Sequence, residues 1–424
     1  MTELPSSTNQ PTFSAARWWR LIPIVFITYS LAYLDRANFA FGMAGGLRKD
    51  LAITRNQSSL LSALFFLGYF FFQIPGVYAA ARSARQLIFW SLLLWGALTA
   101  ATGIVTSLPW LMIIRFLLGV AEGAVFPSML VLLSRWFIRS ERSRANSFLI
   151  FGNPGTLIWM SIISGYLLKS LGWHWMFILE GLPAVAWAFC WLYLIDDRPE
   201  KAVWMSGAET AALQTALANE QQAIPPVRNL FAACRSSTVW VLCLIYALWS
   251  LGVYGFVLWL PSILLYAPKV DIVGVGWLTA IPYFLAIIAM IIASWFSDGS
   301  GNRKLAIWPL FLMGAISFYC ASLCGPDHFW LAFILLCLAG LSMYAPYGPF
   351  FALITDILPA NVAGGAIALI NSFGALGAFV GTYFVGDLSG TTGNFSNAYI
   401  FMATSLLVTA LLAMTLRSKP PNSR

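Results

Sequence analysis

A chain of 424 residues with 60% hydrophobic and only 9% charged side chains is not an ordinary soluble domain, where about a quarter of residues carry charge. Its formal net charge of +8 would suggest a nucleic-acid partner in a soluble protein, but here the basic residues sort by side of a membrane and no nucleic-acid role is expected. The composition predicts an all-α, polytopic membrane protein.

Residues 1–16 are polar with Glu3 as their one charge, and are expected to form a cytoplasmic tail. The first apolar block is too long, and too well followed by others, for a cleaved signal peptide. Crossing the hydrocarbon core takes about 20 residues. Blocks of that length fall near 17–42, 57–80, 86–106, 108–133, 145–168 and 173–195, then near 238–266, 274–297, 305–324, 328–355, 362–386 and 396–416. Twelve transmembrane helices are predicted. With the N-terminus inside, the loops on the cytoplasmic side carry most of the cations, including Arg82, Arg85, Arg135, Arg139, Arg303 and Lys304. The outer loops hold only Arg48, Lys49, Arg55, Lys169 and Lys269, so both termini are expected in the cytoplasm.

The longest polar stretch, 196–237, divides the spans six and six. It sets an N-terminal bundle at 17–195, a cytoplasmic linker, a C-terminal bundle at 238–416 and a tail at 417–424. Two pseudo-symmetric six-helix bundles suggest a carrier that binds its substrate at the midplane between rocking halves. The six cysteines are scattered and read as packing residues, and His174 and His328 are placed in short loops; no metal cluster is expected.

Four ionisable residues lie inside spans: Asp35, Arg36, Arg115 and Glu122. A charge at a helix centre in a bilayer costs roughly 2.5–3.5 kcal/mol even on lenient scales, so it persists only where paired, wetted or used. Arg115 and Glu122 are seven residues apart, about 700° of rotation and about 10.5 Å of rise, and share one helical stripe that must face the protein interior. Their reading as a buried structural ion pair stays open. Asp35 and Arg36 are about 100° apart, so one can face a cavity and the other a neighbouring helix. Arginine suits anion capture, because its guanidinium stays charged and binds a carboxylate through two parallel hydrogen bonds. A carboxyl beside it is the natural proton carrier. Glu180 reads as structural, near the outer interface. Asn153 and Asn371 offer neutral hydrogen-bonding groups, and Pro346 with Pro349, flanked by Tyr347 and Phe351, should disturb a helix at a cavity wall.

Several stretches resemble the major facilitator superfamily and, within it, the anion:cation symporter family of tartrate, phthalate, galactonate, rhamnonate and hexuronate permeases. They are Tyr-Leu-Asp-Arg-Ala-Asn at 33–38, Arg-Phe-Leu-Leu-Gly-Val-Ala-Glu-Gly-Ala-Val-Phe-Pro at 115–127, Ser-Arg-Trp-Phe at 134–137 and Met-Phe-Ile-Leu-Glu-Gly-Leu-Pro at 176–183. The segments 65–76 and 344–352 look like those of bacterial 2-ketogluconate transporters of that family. The resemblance implies a multi-pass inner-membrane carrier, not an enzyme, that takes up an organic anion such as 2-ketogluconate with protons as the coupling ion and no other cofactor. An anion exchanger, or a symporter for galactonate, rhamnonate or tartrate, is the alternative. It implies Arg36 and Arg115 as anion-binding arginines, Asp35 and Glu122 as the protonatable pair, and Tyr69, Asn153 and Asn371 as polar cavity positions. Tyr33, Tyr347 and Phe351 complete the expected binding set, and a monomer is the expected unit. The superfamily's loop signature after the second span is altered, with Ala80 where an aspartate is expected, whereas the loop after span eight keeps Asp298 and Arg303 as expected gating residues.

Overall fold

The computed structural model describes residues 15–222, 237–300, 302–325, 328–357, 360–388 and 395–416. Among these, nine helices are long and apolar enough to cross a membrane. One of them, Phe148–Leu194, runs for 47 residues and is two crossings, because the backbone turns at Gly172, whose φ of 78° suits a residue without a Cβ. Two further helices, Ala16–Gly42 and Arg55–Arg82, are 27 and 28 residues long and complete the twelve.

In chain order the spans are α1 (Ala16–Gly42), α2 (Arg55–Arg82), α3 (Ala84–Thr102), α4 (Leu108–Trp136), α5 (139–171) and α6 (173–194). The second half comprises α7 (Ser237–Leu264), α8 (Ile272–Ser300), α9 (Trp308–Leu323), α10 (Phe329–Ile354), α11 (Ala360–Leu388) and α12 (Ser396–Thr415). Their ends mostly fall within three residues of the sequence expectation. Helix α5 starts six residues early and α3 stops four short. His174, expected in a loop, lies in the first turn of α6 with its ring stacked on Trp173. Helix α10 is broken between Tyr344 and Tyr347, at Pro346, and α4 is interrupted at Ala124, two residues after Glu122.

Local chemistry sets these ends. Thr54 caps α2 reciprocally with Gln57, and Ser83, between α2 and α3, accepts the Gln86 N–H. Within the first half, α4 lies backbone against backbone on α2. A Cβ at Gly119 would strike the Phe65 carbonyl, and one at Gly123 would sit 2.8 Å from the Tyr69 oxygen. The halves meet where α2 packs on α11 and α5 on α8. Large apolar side chains such as Trp19, Ile292 and Trp295 point outward, as a lipid-facing surface requires.

The linker carries a helix, Gly207–Gln222, and the segment leading into it docks beneath the first half. Trp204 stacks on Trp136 at 5.5 Å, and Arg17, fully buried, pairs with Glu141 at 3.0 Å and reaches Glu209 at 4.0 Å.

Candidate functional site

Helix α1 carries the central chemistry. Arg36 is 5% exposed and donates from Nε to Glu122 Oε2 at 2.8 Å, an ion pair joining α1 to α4 just before the break in α4. Its guanidinium sits 4.9 Å from the Tyr69 ring centroid and 5.7 Å from that of Tyr33. Asp35, on the adjacent face of α1, turns away to α3. It accepts from the Thr99 hydroxyl and, at 3.3 Å, from Asn38 Nδ2. The Asp35 and Glu122 carboxyls lie close to each other.

Glu180 joins this cluster. It is 6% exposed, accepts from Ser164 Oγ at 2.6 Å and lies within hydrogen-bonding reach of Asn38. Around the break in α4 the first half thus holds three buried carboxyls, Asp35, Glu122 and Glu180, against two buried guanidiniums, Arg36 and Arg115, the buried Arg17 lying apart with Glu141. The cluster balances its charge when it carries one proton. Asp35 Oδ2, Glu122 Oε1, Glu180 Oε2, Arg36 Nη2 and Arg115 Nη2 have no hydrogen-bond partner among the described residues. Buried polar atoms left in that condition mark a site that water, a proton or a ligand completes.

Between the halves lies a cavity of about 50 Å³. Arg36, Tyr69 and Asn153 line it from the first half, and Tyr347, Phe351 and Asn371 from the second. Tyr33 and Arg115 are not among its lining residues. Tyr33 instead meets the Tyr344 hydroxyl at 3.3 Å, across the two halves. Arg115 donates to the Leu61 carbonyl at 3.3 Å and lies 4.0 Å from the Phe39 ring centroid, deep in the first half. The structure therefore divides the two arginines, one on the cavity and one behind it. Ligand pockets for small molecules run to about 300–1,000 Å³, so this site must widen before it can hold a ligand of that class.

Tyr29, Phe66, Tyr246, Ser250 and Tyr254 also line the cavity and were not singled out from sequence. Tyr29 could have been found, since it lies seven residues before Arg36 and so on the same helical stripe. Asn153 is within hydrogen-bonding reach of its hydroxyl. Arg303 donates to Ser297 Oγ at 3.3 Å, while the Asp298 side chain lies outside the described residues. Ala80, standing where the loop signature has an aspartate, is fully buried. Asp197 from the start of the linker serves this loop instead: it accepts from Ser83 Oγ, from the Arg85 backbone N–H at 2.9 Å and from Arg135 Nη1 at 3.3 Å. Among the described residues no group of histidine, cysteine, aspartate and glutamate could hold a metal ion.

Twelve spans in two halves around a central cavity lined by the arginine of a buried ion pair define a multi-pass membrane transporter rather than an enzyme. The chain belongs to the Major Facilitator Superfamily, whose profile matches residues 25–269 and again 264–424. It is 31% identical over 412 residues to a protein from Agrobacterium vitis named for tartrate transport, covering 95% of this chain and 94% of that one. It is 29% identical over 410 residues to a quinolone resistance transporter from Acinetobacter baumannii, covering 95% of this chain and 94% of that one. The crystal structure of a D-xylose-proton symporter superposes with a TM-score of 0.75 over 94% of this chain and 98% of that chain, at 15% identity, and so shares the fold.

Proposed function

We propose that the protein is a proton-coupled symporter that brings a small organic anion, a sugar acid such as 2-ketogluconate, into the cell across the inner membrane by alternating access, with both termini in the cytoplasm. The observation that carries this reading is the buried Arg36–Glu122 pair at 2.8 Å, whose arginine lines the cavity between the halves. A substrate carboxylate competes with Glu122 for the Arg36 guanidinium, which can hold it through two parallel hydrogen bonds. Glu122, displaced from its cation, is then left as a buried carboxylate beside Asp35 and takes up a proton. Anion and proton bind as one event and leave as one. Tyr69, Asn153 and Asn371 supply hydrogen bonds for hydroxyl groups of the cargo, and Tyr347 and Phe351 an apolar wall. Arg115 and Asp35 act behind the cavity, keeping the proton within the first half. No cofactor beyond the proton is needed. The transporting unit is the monomer, because one chain supplies every group of the site.

The relative named for tartrate transport supports an organic-acid cargo, whereas the quinolone resistance relative carries a drug in its name. The test is purified protein in proteoliposomes supplied with labelled 2-ketogluconate, tartrate or a quinolone, with external pH recorded. Uptake of a sugar acid with alkalinisation of the medium supports symport. Uptake that requires preloaded anion and moves no protons establishes exchange instead, and movement of the quinolone alone overturns the anion reading.

A further inference from the structure

At the membrane face opposite the start of α1 and the end of α12 lies a second and much larger cavity, of about 740 Å³. It is lined from both halves, and the charged side chains among its described lining residues are Arg48, Lys49 and Arg55, all cationic. Arg48 and Arg55 are close enough for their charges to repel. Two carboxylates on adjoining segments have partners of their own. Asp50 accepts from Trp173 Nε1 at 2.7 Å, and Asp271 is held by Lys169 at 2.7 Å at the rim, beside the lining residues Leu168 and Ile272. A concave, low-dielectric wall bearing one sign of charge concentrates ions of the other sign.

The cavity stands directly above the central site. On α2, Ser58 and Ser62 line the upper cavity, while Phe66 and Tyr69, one and two turns further along the same stripe, line the lower. On α7 the order repeats, with Ser262 and Leu258 above and Tyr254 and Ser250 below. Between the two levels the Phe66 and Tyr254 rings meet at 4.6 Å between centroids and close the passage.

We propose that this vestibule is an outer capture site for small organic anions, which holds the cargo above a Phe66–Tyr254 floor until the central site opens. The proposal rests on the anion reading above only for the identity of the cargo. The vestibule already has the volume that a small ligand needs, and the central cavity does not. Serine hydroxyls and the Trp259 and Tyr266 rings complement the cations, as a polyhydroxylated carboxylate requires.

The test introduces Ser262→Cys and compares its labelling rate with an anionic and a cationic thiol reagent of equal size, native protein serving as background. At low ionic strength the anionic reagent is expected to react on the order of tenfold faster, with the preference lost in the combined Arg48→Gln, Lys49→Gln, Arg55→Gln variant and in high salt. 2-Ketogluconate should protect the cysteine. Equal rates for the two reagents in the otherwise native protein would overturn the proposal whatever the protein transports. Anionic preference with no transport of any organic anion would sustain the vestibule and remove the symport reading. In right-side-out vesicles the combined variant should raise the half-saturation concentration for entry about tenfold, while leaving that for exit from inside-out vesicles unchanged. Equal impairment in both directions would assign the three cations a structural role and refute capture. Arg55→Lys, which keeps the charge, should retain the labelling preference.

Discussion

Replacing Glu122 by glutamine removes one carboxyl from a cluster whose charges can be counted. Three buried carboxyls face two buried guanidiniums, so the native cluster is neutral when it holds one proton. One proton moving with one monoanion carries no net charge, and its driving force is the pH gradient alone. Each pH unit stores about 1.4 kcal/mol, which sustains about a tenfold accumulation of the anion. Glutamine at 122 cannot take up the proton that Glu122 accepts when the anion displaces it, while its amide oxygen can still accept from Arg36 Nε. Accumulation in proteoliposomes under one unit of inwardly directed proton gradient should fall from about tenfold to none. Counterflow of labelled anion against unlabelled anion, which needs no net proton movement, should persist. Tenfold accumulation surviving in Glu122→Gln would refute the assignment of Glu122 as the proton carrier.

The positions of the two arginines predict opposite defects. Arg36→Gln should abolish thermal stabilisation by the anion, whereas Arg115→Gln should retain ligand-induced stabilisation and lose gradient-driven uptake, both read from melting curves with and without 2-ketogluconate. The Lys169–Asp271 pair joins α5 to the start of α8 across the two halves. Lys169 first, and the Gly274 N–H second, hold the Asp271 carboxyl below the usual aspartate range, and Asp271 in turn raises Lys169. The lowered acid contributes above its ordinary value and is lost as pH falls through the lowered one; the raised base contributes below its ordinary value and is lost as pH rises through the raised one. Outer-face accessibility of an engineered cysteine should therefore be flat between about pH 5 and 8, and higher at every such pH in Lys169→Gln. Gly119→Val should cost about 1–3 kcal/mol or more, seen as a lower melting temperature, because the new Cβ meets the Phe65 backbone rather than a movable side chain.

Much of the architecture was legible because a membrane allows few solutions. Apolar length gave twelve crossings, and the polar stretch 196–237 set the expected division into six and six. The break at Pro346 followed from proline chemistry, and the angular offset between Asp35 and Arg36 required them to face different neighbours. The location of Arg115 was not legible. Periodicity places it on the stripe of Glu122, and about 10.5 Å of rise separates the two. The sequence does not say that at that level the stripe meets Leu61 and Phe39 instead of the gap between halves. Glu180 was read as structural because its depth in α6 was visible and its neighbours Ser164 and Asn38, from α5 and α1, were not. Tyr246 and Tyr254 escaped notice for a related reason: in a chain with 16% aromatic residues, a cavity wall and a lipid-facing surface have the same composition.

Among the described residues, every buried carboxyl and guanidinium around the central cavity belongs to the first half; the second half faces it with Tyr246, Tyr254, Tyr347, Phe351 and Asn371. On the proposed mechanism the proton-handling groups sit in one bundle, while the cargo is held jointly, by Arg36, Tyr69 and Asn153 on one side and by this aromatic and amide wall on the other. Recasting the wall alone would then redirect such a carrier to a new acid with its proton-handling groups untouched, so a single engine would serve a lineage of differently shaped nutrients.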